Sequence, residues 1–183
     1  MSDDMMYWYV LFCRTGSEER LVERLKNSIS SEDCLPFIPQ KTCVFRRKGK
    51  ETIFQKMCFP GYVFIESDKP AAEFIKYSYP VIHKLKDAYR FLSYGNRFDI
   101  AMLEEERIAL SMMLGHDKHM DISIGYKEGD SVRVISGALV GNESKILSIN
   151  KNRHEAVIGI SMFGMNVSVS IGLEIIEKIM EAD

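Results

Sequence analysis

Phe59-Pro60-Gly61-Tyr62-Val63-Phe64-Ile65, at residues 59–65, marks the point where a polar β pattern stops and a strongly apolar one begins. Proline has no backbone N–H to give to a β ladder, so the pattern predicts an interruption at 59–61 and a short apolar strand over 62–65. Residues 7–14, with the sequence YWYVLFCR, are dense in aromatic and other strand-forming residues. They predict a second strand, buried on at least one face.

Three helices are predicted in the same part of the chain. The first covers residues 17–30 and carries two glutamates in its first turn, where the helix dipole favours acidic side chains. The second begins near Asp68 and is stopped by Pro80, because proline disrupts a helix interior. The third covers residues 100–114 and has Asp99 as its expected N-cap.

The other β patterns of this part are shorter or more polar. Residues 37–45 and 52–58 predict the two strands of a hairpin, joined by the charged loop 46–50. Residues 81–85 and 89–92 are weaker strand candidates. Strands and helices alternate in this way over the first part of the chain, which predicts a mixed α/β sandwich.

From Met120 onward the hydrophobic period changes to two, and turns rich in glycine or asparagine separate short β runs. The five predicted strands are residues 131–135, 145–149, 156–160, 166–170 and 175–179. Short strands at this spacing, with no helix between them, predict a small five-stranded antiparallel barrel. We therefore expect an α+β protein with a first domain over residues 6–115, a linker over 116–126 and a second domain over 127–183.

The chain as a whole carries almost no net charge. Its 183 residues include 24 Lys and Arg against 26 Asp and Glu, so nucleic-acid binding would need a local basic patch. Residues 41–56 hold such a patch, with six basic side chains and one acidic one, Glu51. Four cysteines without a C-x-x-C pair predict reduced thiols in a cytoplasm. The longest apolar run, residues 5–13, is too short to span a membrane, and we expect a cytoplasmic monomer that is not exported.

The sequence offers little for catalysis. It has no nucleophile motif, phosphate-binding loop or metalloprotease motif, so no enzymatic activity, cofactor or metal is predicted. His116 and His119, with Asp121 nearby, are an alternative metal site that lacks a defined fourth ligand. Consecutive side chains on a helix point in different directions, so Glu104, Glu105 and Glu106 predict a solvated face.

Four motifs, in order along nearly the whole chain, resemble one family. Trp8-Tyr9-Val10 and Phe59-Pro60-Gly61-Tyr62-Val63-Phe64 resemble signatures of the NusG N-terminal domain. Gly129-Asp130-Ser131-Val132-Arg133-Val134, followed by Gly137 and Gly141, resembles the KOW motif, and Ser161-Met162-Phe163-Gly164 resembles the S-x-F-G turn of the NusG version of that domain. Residues 9–16 look more like the specialised LoaP antiterminator paralogues than like housekeeping NusG.

The resemblance implies a transcription elongation factor whose first domain, an NGN sandwich, docks on the clamp helices of RNA polymerase. Carried over by motif, the docking residues would be Phe12, Phe59, Tyr62 and Phe64. Ordinary core packing is the alternative for these rings. The basic hairpin would lie near upstream DNA or the non-template strand through Arg46, Arg47, Lys48 and Lys50, with a merely solvated loop as the alternative.

The second domain departs from the family pattern at Ser144, Lys145 and Met165, so binding of ribosomal protein S10 or Rho is doubtful. We hypothesise instead that it contacts an RNA leader hairpin, with a polar turn as the alternative. The expected contact residues are Arg133, Lys145, Asn150, Lys151, Asn152, Arg153 and His154. Two competing functions are a general NusG-like factor that pauses polymerase or couples it to the ribosome or Rho, and a ribosome-associated structural protein.

Overall fold

The computed structural model describes residues 6–30, 33–129 and 131–176, and of Arg47 only the backbone. In chain order, strands β1–β12 are Tyr7–Cys13, Leu35–Phe37, Gln40–Arg47, Lys50–Met57, Tyr62–Ser67, Ala88–Phe91, His119–Met120, Ser123–Glu128, Ser131–Ser136, Ile146–Asn150, Glu155–Met162 and Met165–Ile176. Helices α1–α3 are Glu18–Ser28, Ala71–Ile82 and Glu104–Leu114. These elements confirm the predicted α+β class.

The chain divides into two compact units that are not continuous in sequence. Of the described residues, the first unit contains those within 6–39, 59–109 and 161–165, and the second contains those within 40–58, 110–160 and 166–176. Strands β7 and β8 occupy much of residues 116–126, where a linker is expected from the sequence. Asp130 and the end of the predicted strand 175–179 lie outside the described residues.

A four-stranded antiparallel sheet with the order β2-β5-β1-β6 forms the centre of the first unit. Both faces of β1 are buried. Tyr9 and Leu11 pack with residues of α1 and α2 in one apolar cluster. On the opposite face, Trp8 contacts the rings of Phe37 and Phe64, at centroid distances of 5.2 and 6.2 Å. The alternation of large side chains along β1 therefore fills two layers rather than one.

Two sheets form the second unit. The hairpin β3–β4 pairs with β7 in a three-stranded sheet, and five strands form a sheet with the order β10-β11-β12-β8-β9. The pairs β3–β7 and β8–β12 are parallel, whereas β3–β4, β8–β9 and β10–β11 are antiparallel. Gly137 has a φ of +89°, and a Cβ there would lie 2.3 Å from the carbonyl oxygen of Ile122. This close approach explains the need for glycine in the turn after β9.

Several predicted elements have different limits in the structure. Pro80 lies inside α2, which continues to Ile82, because proline removes only one backbone hydrogen bond so close to the helix end. The strand predicted over residues 81–85 is wrong because α2 continues to Ile82. Helix α3 begins at Glu104, and the backbone N–H of Asp99 donates to the Asn96 side chain, so Asp99 is not the N-cap.

Several strands also differ in their limits from the strands that the sequence predicts. Residues 37–45 do not form one strand, because β2 ends at Phe37 and pairs with β5, whereas β3 begins at Gln40. Strand β8 was not predicted, and the run 166–170 and the described residues 175 and 176 belong to the single long strand β12. The described helices include no segment with the length and apolar character needed to cross a bilayer.

The four cysteines are free thiols and all are buried. Burial raises the pKa of the Cys13 thiol to about 11, and the pKa values of Cys34 and Cys58 to about 12. Desolvation of the thiolate is the largest cause in each case.

We expect these three thiols to react slowly with a disulfide reagent at pH 8, because the thiolate is the reacting form. A pKa near 11 in place of 9 lowers the thiolate fraction of Cys13 about 100-fold at that pH. Mass-spectrometric mapping of the labelled sites, in native buffer and in denaturant, measures this. Rapid labelling of Cys13, Cys34 or Cys58 in the native protein would contradict the burial described.

Candidate functional site

A buried carboxylate fixes the conformation of the Phe59-Pro60-Gly61 turn. Glu18, in the first turn of α1, is 1% exposed, and its two oxygens accept hydrogen bonds from the backbone N–H groups of Gly16 and Gly61, each at 2.6 Å. Gly61 has a φ of +87° and its carbonyl accepts a bond from the N–H of Cys13 at 2.8 Å. The turn is thereby tied to both β1 and α1.

Three aromatic side chains lie together at the end of the sheet beside this turn. Phe12 is 5.4 Å from Tyr62 and 5.3 Å from Tyr89 between ring centroids. Phe12 and Tyr62 are half-buried, and Tyr89 is exposed. We call Phe12, Tyr62 and Tyr89 the aromatic edge. Tyr89 was not among the predicted docking residues, although the alternation of Tyr89 and Phe91 along β6 was the signal available in the sequence.

The other two predicted docking residues belong to the core of this structure. Phe64 is completely buried and Phe59 is 3% exposed, with their ring centroids 5.4 Å apart. Phe64 also contacts Trp8 and Phe37. Their rings are therefore not available to a partner in this conformation, and they support the turn from which Tyr62 projects. The apolar pattern alone did not separate these two positions from Tyr62.

The basic hairpin is closed by a tight turn and is held partly by acidic side chains. Lys48 and Gly49 both have positive φ, at 50° and 75°, as in a type I′ turn. Arg46 donates to Glu51 at 2.6 Å and to Glu174 at 3.1 Å, which raises the pKa of its guanidinium. Lys48, in the turn, and Lys50, at the start of β4, are exposed. The side chain of Arg47 lies outside the described structure.

The structure brings this hairpin next to the polar turn of the second domain. The guanidinium of Arg46 lies 3.2 Å from Nε2 of His154. Residues Lys151–Arg153 form one turn of 3₁₀ helix, which Asn150 caps by accepting a bond from the backbone N–H of Arg153 at 3.1 Å. Lys151, Asn152 and Arg153 are exposed. Two sites that the sequence analysis treated separately therefore share one surface.

Arg133 and Lys145 do not join this surface through any contact that the described residues show. Arg133 pairs with Glu128 at 3.3 Å and lines a shallow groove that also contains Glu143. Lys145 is half-buried at the end of a 3₁₀ turn, Glu143–Lys145, rather than on a strand. Lys151 lines a different groove. The expectation that both cations lie on strands is therefore wrong for Lys145, whereas Arg133 does lie on β9. Contact of either residue with RNA stays a prediction.

A second buried carboxylate holds the Ser161-Met162-Phe163-Gly164 turn within the first unit. Glu106 accepts hydrogen bonds from the hydroxyl of Ser161 at 2.9 Å, from the backbone N–H of Phe163 at 3.0 Å and from the hydroxyl of Tyr94. Burial, followed by this bond to Glu106, raises the pKa of Tyr94. Glu106 is only 8% exposed, so the solvated face predicted for the three glutamates is wrong at this position.

The alternative metal site is not assembled. Nε2 of His119 lies 2.6 Å from the hydroxyl of Thr42 and 3.9 Å from Asp121. Among the described residues there is no group of three or more His, Cys, Asp or Glu side chains suited to a metal ion.

We expect Glu18→Ala to lower the free energy of unfolding of the first unit by about 2 kcal/mol or more, because two backbone N–H groups lose their acceptor. Trp8, the only tryptophan and 1% exposed, reports unfolding by its fluorescence in a urea titration. Glu19→Ala is the matched control, since Glu19 lies in the same helical turn and is exposed. Equal effects of the two substitutions would contradict the role assigned to Glu18.

Comparison with known proteins agrees with this architecture. A family model described as transcription termination factor nusG matches residues 6–112. The transcription termination/antitermination protein NusG of Thermus thermophilus is 26% identical over 179 residues, covering 93% of this chain and 97% of the relative. NusG of Borreliella burgdorferi is 29% identical over 138 residues, covering 73% of this chain and 74% of the relative.

A solved structure, described as the domain interaction in Thermotoga maritima NusG, has the same fold. Its TM-score is 0.52 at 20% identity, and the match covers 92% of this chain and 94% of the other. The expected combination of an NGN sandwich and a KOW-type β domain is thereby confirmed. With a family model that covers more than half of its length, this chain belongs to the NusG family of transcription termination and antitermination factors.

Proposed function

We propose that this protein is a processive antiterminator of the LoaP type, which works in the cytoplasm as a monomer. Its first domain, residues 6–115, binds the clamp helices of RNA polymerase through the aromatic edge, and its second domain, residues 127–183, is recruited by an RNA leader hairpin. The observation that carries the recruitment step is the proximity of Arg46 and His154, which joins the basic hairpin and the polar turn into one surface.

The aromatic edge has the properties of an interface centre. Phe12 and Tyr62 are Cα partners across β1 and β5, so the sheet fixes their relative positions. The bonds from Gly16 and Gly61 to Glu18 hold the turn that precedes Tyr62. Rigid aromatic side chains beside a fixed backbone lose little conformational entropy when a partner binds, and residues of this kind dominate binding energies.

The polar surface of the second unit suits phosphate contacts. Lys48, Lys50, Lys151 and Arg153 are exposed cations, and Asn152 adds a neutral donor. Asn150 and Arg46 are already engaged with Arg153 and with Glu51 and Glu174, so we assign them the positioning of their neighbours. Structured RNA is recognised largely by its shape, phosphates and hydroxyl groups, which such donors contact. The basic hairpin of the protein can contact upstream DNA or the non-template strand in the same way, since phosphate contacts carry no sequence information.

The alternative, a general NusG-like factor that couples polymerase to the ribosome or Rho, is less well supported. In the family, such partners bind surfaces that include the S-x-F-G turn. Here Phe163 is 6% exposed and its backbone N–H is bonded to Glu106. This arrangement disfavours direct capture of ribosomal protein S10 or Rho by the turn.

Transcription in vitro across a terminator, with and without the upstream leader, tests the proposed function. We expect readthrough that requires both the protein and the leader. The double variant Phe12→Ser and Tyr62→Ser should bind polymerase about 800-fold or more weakly and lose readthrough, because hot-spot aromatic residues each contribute about 2 kcal/mol or more. Met112→Ser is the control, since Met112 is 71% exposed on α3. Readthrough without the leader would favour the general factor instead.

Titration of the full-length protein against leader hairpin RNA tests recruitment. With about five phosphates neutralised, the log–log salt slope should be on the order of −4, and Lys151→Glu with Arg153→Glu should make it shallower by about 2. Arg24→Glu with Lys26→Glu, on the exposed side of α1, changes the net charge equally and should leave the slope unchanged. Equal effects of the two pairs would show that only net charge matters.

A further inference from the structure

The hairpin formed by β3 and β4 has one edge that pairs with no other strand. Strand β4 is the outer strand in the order β4-β3-β7, and it pairs with β3 along its whole length without a shift of register. In an antiparallel pair, alternate residues direct their N–H and C=O groups away from the partner strand. Among the described residues, no backbone–backbone hydrogen bond joins β4 to a segment outside the hairpin. The outer side of β4 is therefore open to a further strand.

Strand β4 lacks several of the features that usually keep an edge strand from pairing. Protected edges tend to be short, bulged or interrupted by proline. Strand β4 has eight residues, Lys50–Met57, and no proline. Its centre is apolar and accessible, since Ile53 is 62% exposed and Phe54 is half-buried. Such a strand suits the addition of an extended peptide, in which backbone bonds give affinity and alternate side chains give specificity.

The charges of the hairpin indicate what kind of peptide fits. Residues 41–56 contain six basic residues and one acidic residue, Glu51. The carboxylate of Glu51 is already bonded to Arg46 at 2.6 Å. Lys41 and Lys56 lie directly opposite each other in the register, and like charges in this relation repel. The hairpin is therefore electrostatically complementary to an acidic strand.

Of these two lysines, only Lys56 is available to a partner. Lys41 donates to the carbonyl oxygen of Ser170. The ammonium group of Lys56 lies 5.2 Å from the centroid of the Phe54 ring, and it forms no ion pair with a carboxylate in the part of the chain that the structure describes. A carboxylate opposite Lys56 would offset the repulsion between the two lysines.

The same charges disfavour a second copy of this chain as the added strand. If two β4 strands paired so that their Ile53 side chains met, Lys50 of each copy would lie opposite Lys56 of the other. Both pairs would be repulsive, whereas an acidic strand in the same place would be attracted. Lysines on an edge strand commonly act against self-association in this way.

We propose that the outer edge of β4 binds an extended acidic segment of a partner protein as an additional antiparallel strand. A carboxylate of the segment lies opposite Lys56, and apolar side chains lie opposite Phe54 and Ile53, on the two faces of the sheet. Nucleic acid would meet the cations of the hairpin, but its phosphates would not satisfy both the donors and the acceptors of the strand backbone. This edge is thus a protein-binding surface, separate from the RNA surface formed by the hairpin tip and the polar turn.

A heteronuclear NMR titration of the full-length protein with the capped peptide SETVVTTE tests the proposal. In the added strand, its first glutamate faces Lys56 and its two valines face Phe54 and Ile53. Only one of two successive residues directs its N–H toward β4. We therefore expect N-methylation of one valine to weaken binding about fivefold or more, and N-methylation of the other to have little effect.

Substitutions in β4 test the side-chain contacts. We expect Ile53→Ser and Lys56→Gln each to raise the Kd of the peptide about two- to fivefold, as the loss of one cross-strand pair does. Ile135→Ser and Lys26→Gln are the matched controls, because Ile135 is 56% exposed on β9 and Lys26 is exposed on α1. Trp8 fluorescence verifies that each variant is folded.

The remaining outcomes distinguish the other occupants. Lys151→Glu with Arg153→Glu should leave peptide binding intact. Equal binding of the basic peptide SKTVVTTK, equal effects of the two N-methylations, or equal effects of the β4 variants and their controls would each overturn the proposal. Displacement of the peptide by RNA that Ile53→Ser also weakens would assign the edge to nucleic acid instead. A dimer in sedimentation that Ile53→Ser dissociates would assign it to a second copy.

Discussion

The carboxylate of Glu18 accepts hydrogen bonds from the backbone N–H groups of Gly16 and Gly61, which are far from each other in sequence. The arrangement of the first unit depends on this contact. It joins the start of α1 to the turn before β5, 43 residues away. The same turn is bonded through the Gly61 carbonyl to the end of β1. One buried charge therefore sets the relative positions of a helix and two central strands, and it needs charge-assisted bonds to compensate for its lost hydration.

The aromatic edge follows from this constraint. Phe12 lies near the end of one central strand and Tyr62 begins the other, so fixing the turn that precedes β5 also fixes the spacing of these rings. Phe59 and Phe64 act behind them as part of the core. The F-P-G-Y motif thus combines two roles, since its first aromatic residue packs inward and its second remains accessible. A substitution of Phe59 would disturb the core, whereas a substitution of Tyr62 would change the accessible surface.

Local patterns were sufficient to predict the α+β class, the hairpin and most strands, because period-two alternation and glycine-bearing turns are properties of neighbouring residues. Contacts between distant residues were not predictable in this way. Glu18 and Glu106 look like ordinary acidic residues in the first turns of helices, and only the fold shows that each accepts backbone bonds from a remote turn. Likewise, no local signal indicated that Arg46 would meet His154, 108 residues further on.

The two positive φ values at Lys48 and Gly49 leave the hairpin with the shortest common loop, and eight residues pair along each strand. Successive residues of a strand alternate between its faces, so inserting a single residue into either arm would invert every side chain beyond it. Arg46 would then turn away from Glu174 and His154. The lengths of β3 and β4 are for that reason constrained. Relatives that keep the Arg46 contact are expected to vary in which residues form the turn, but not in the number of residues in the hairpin.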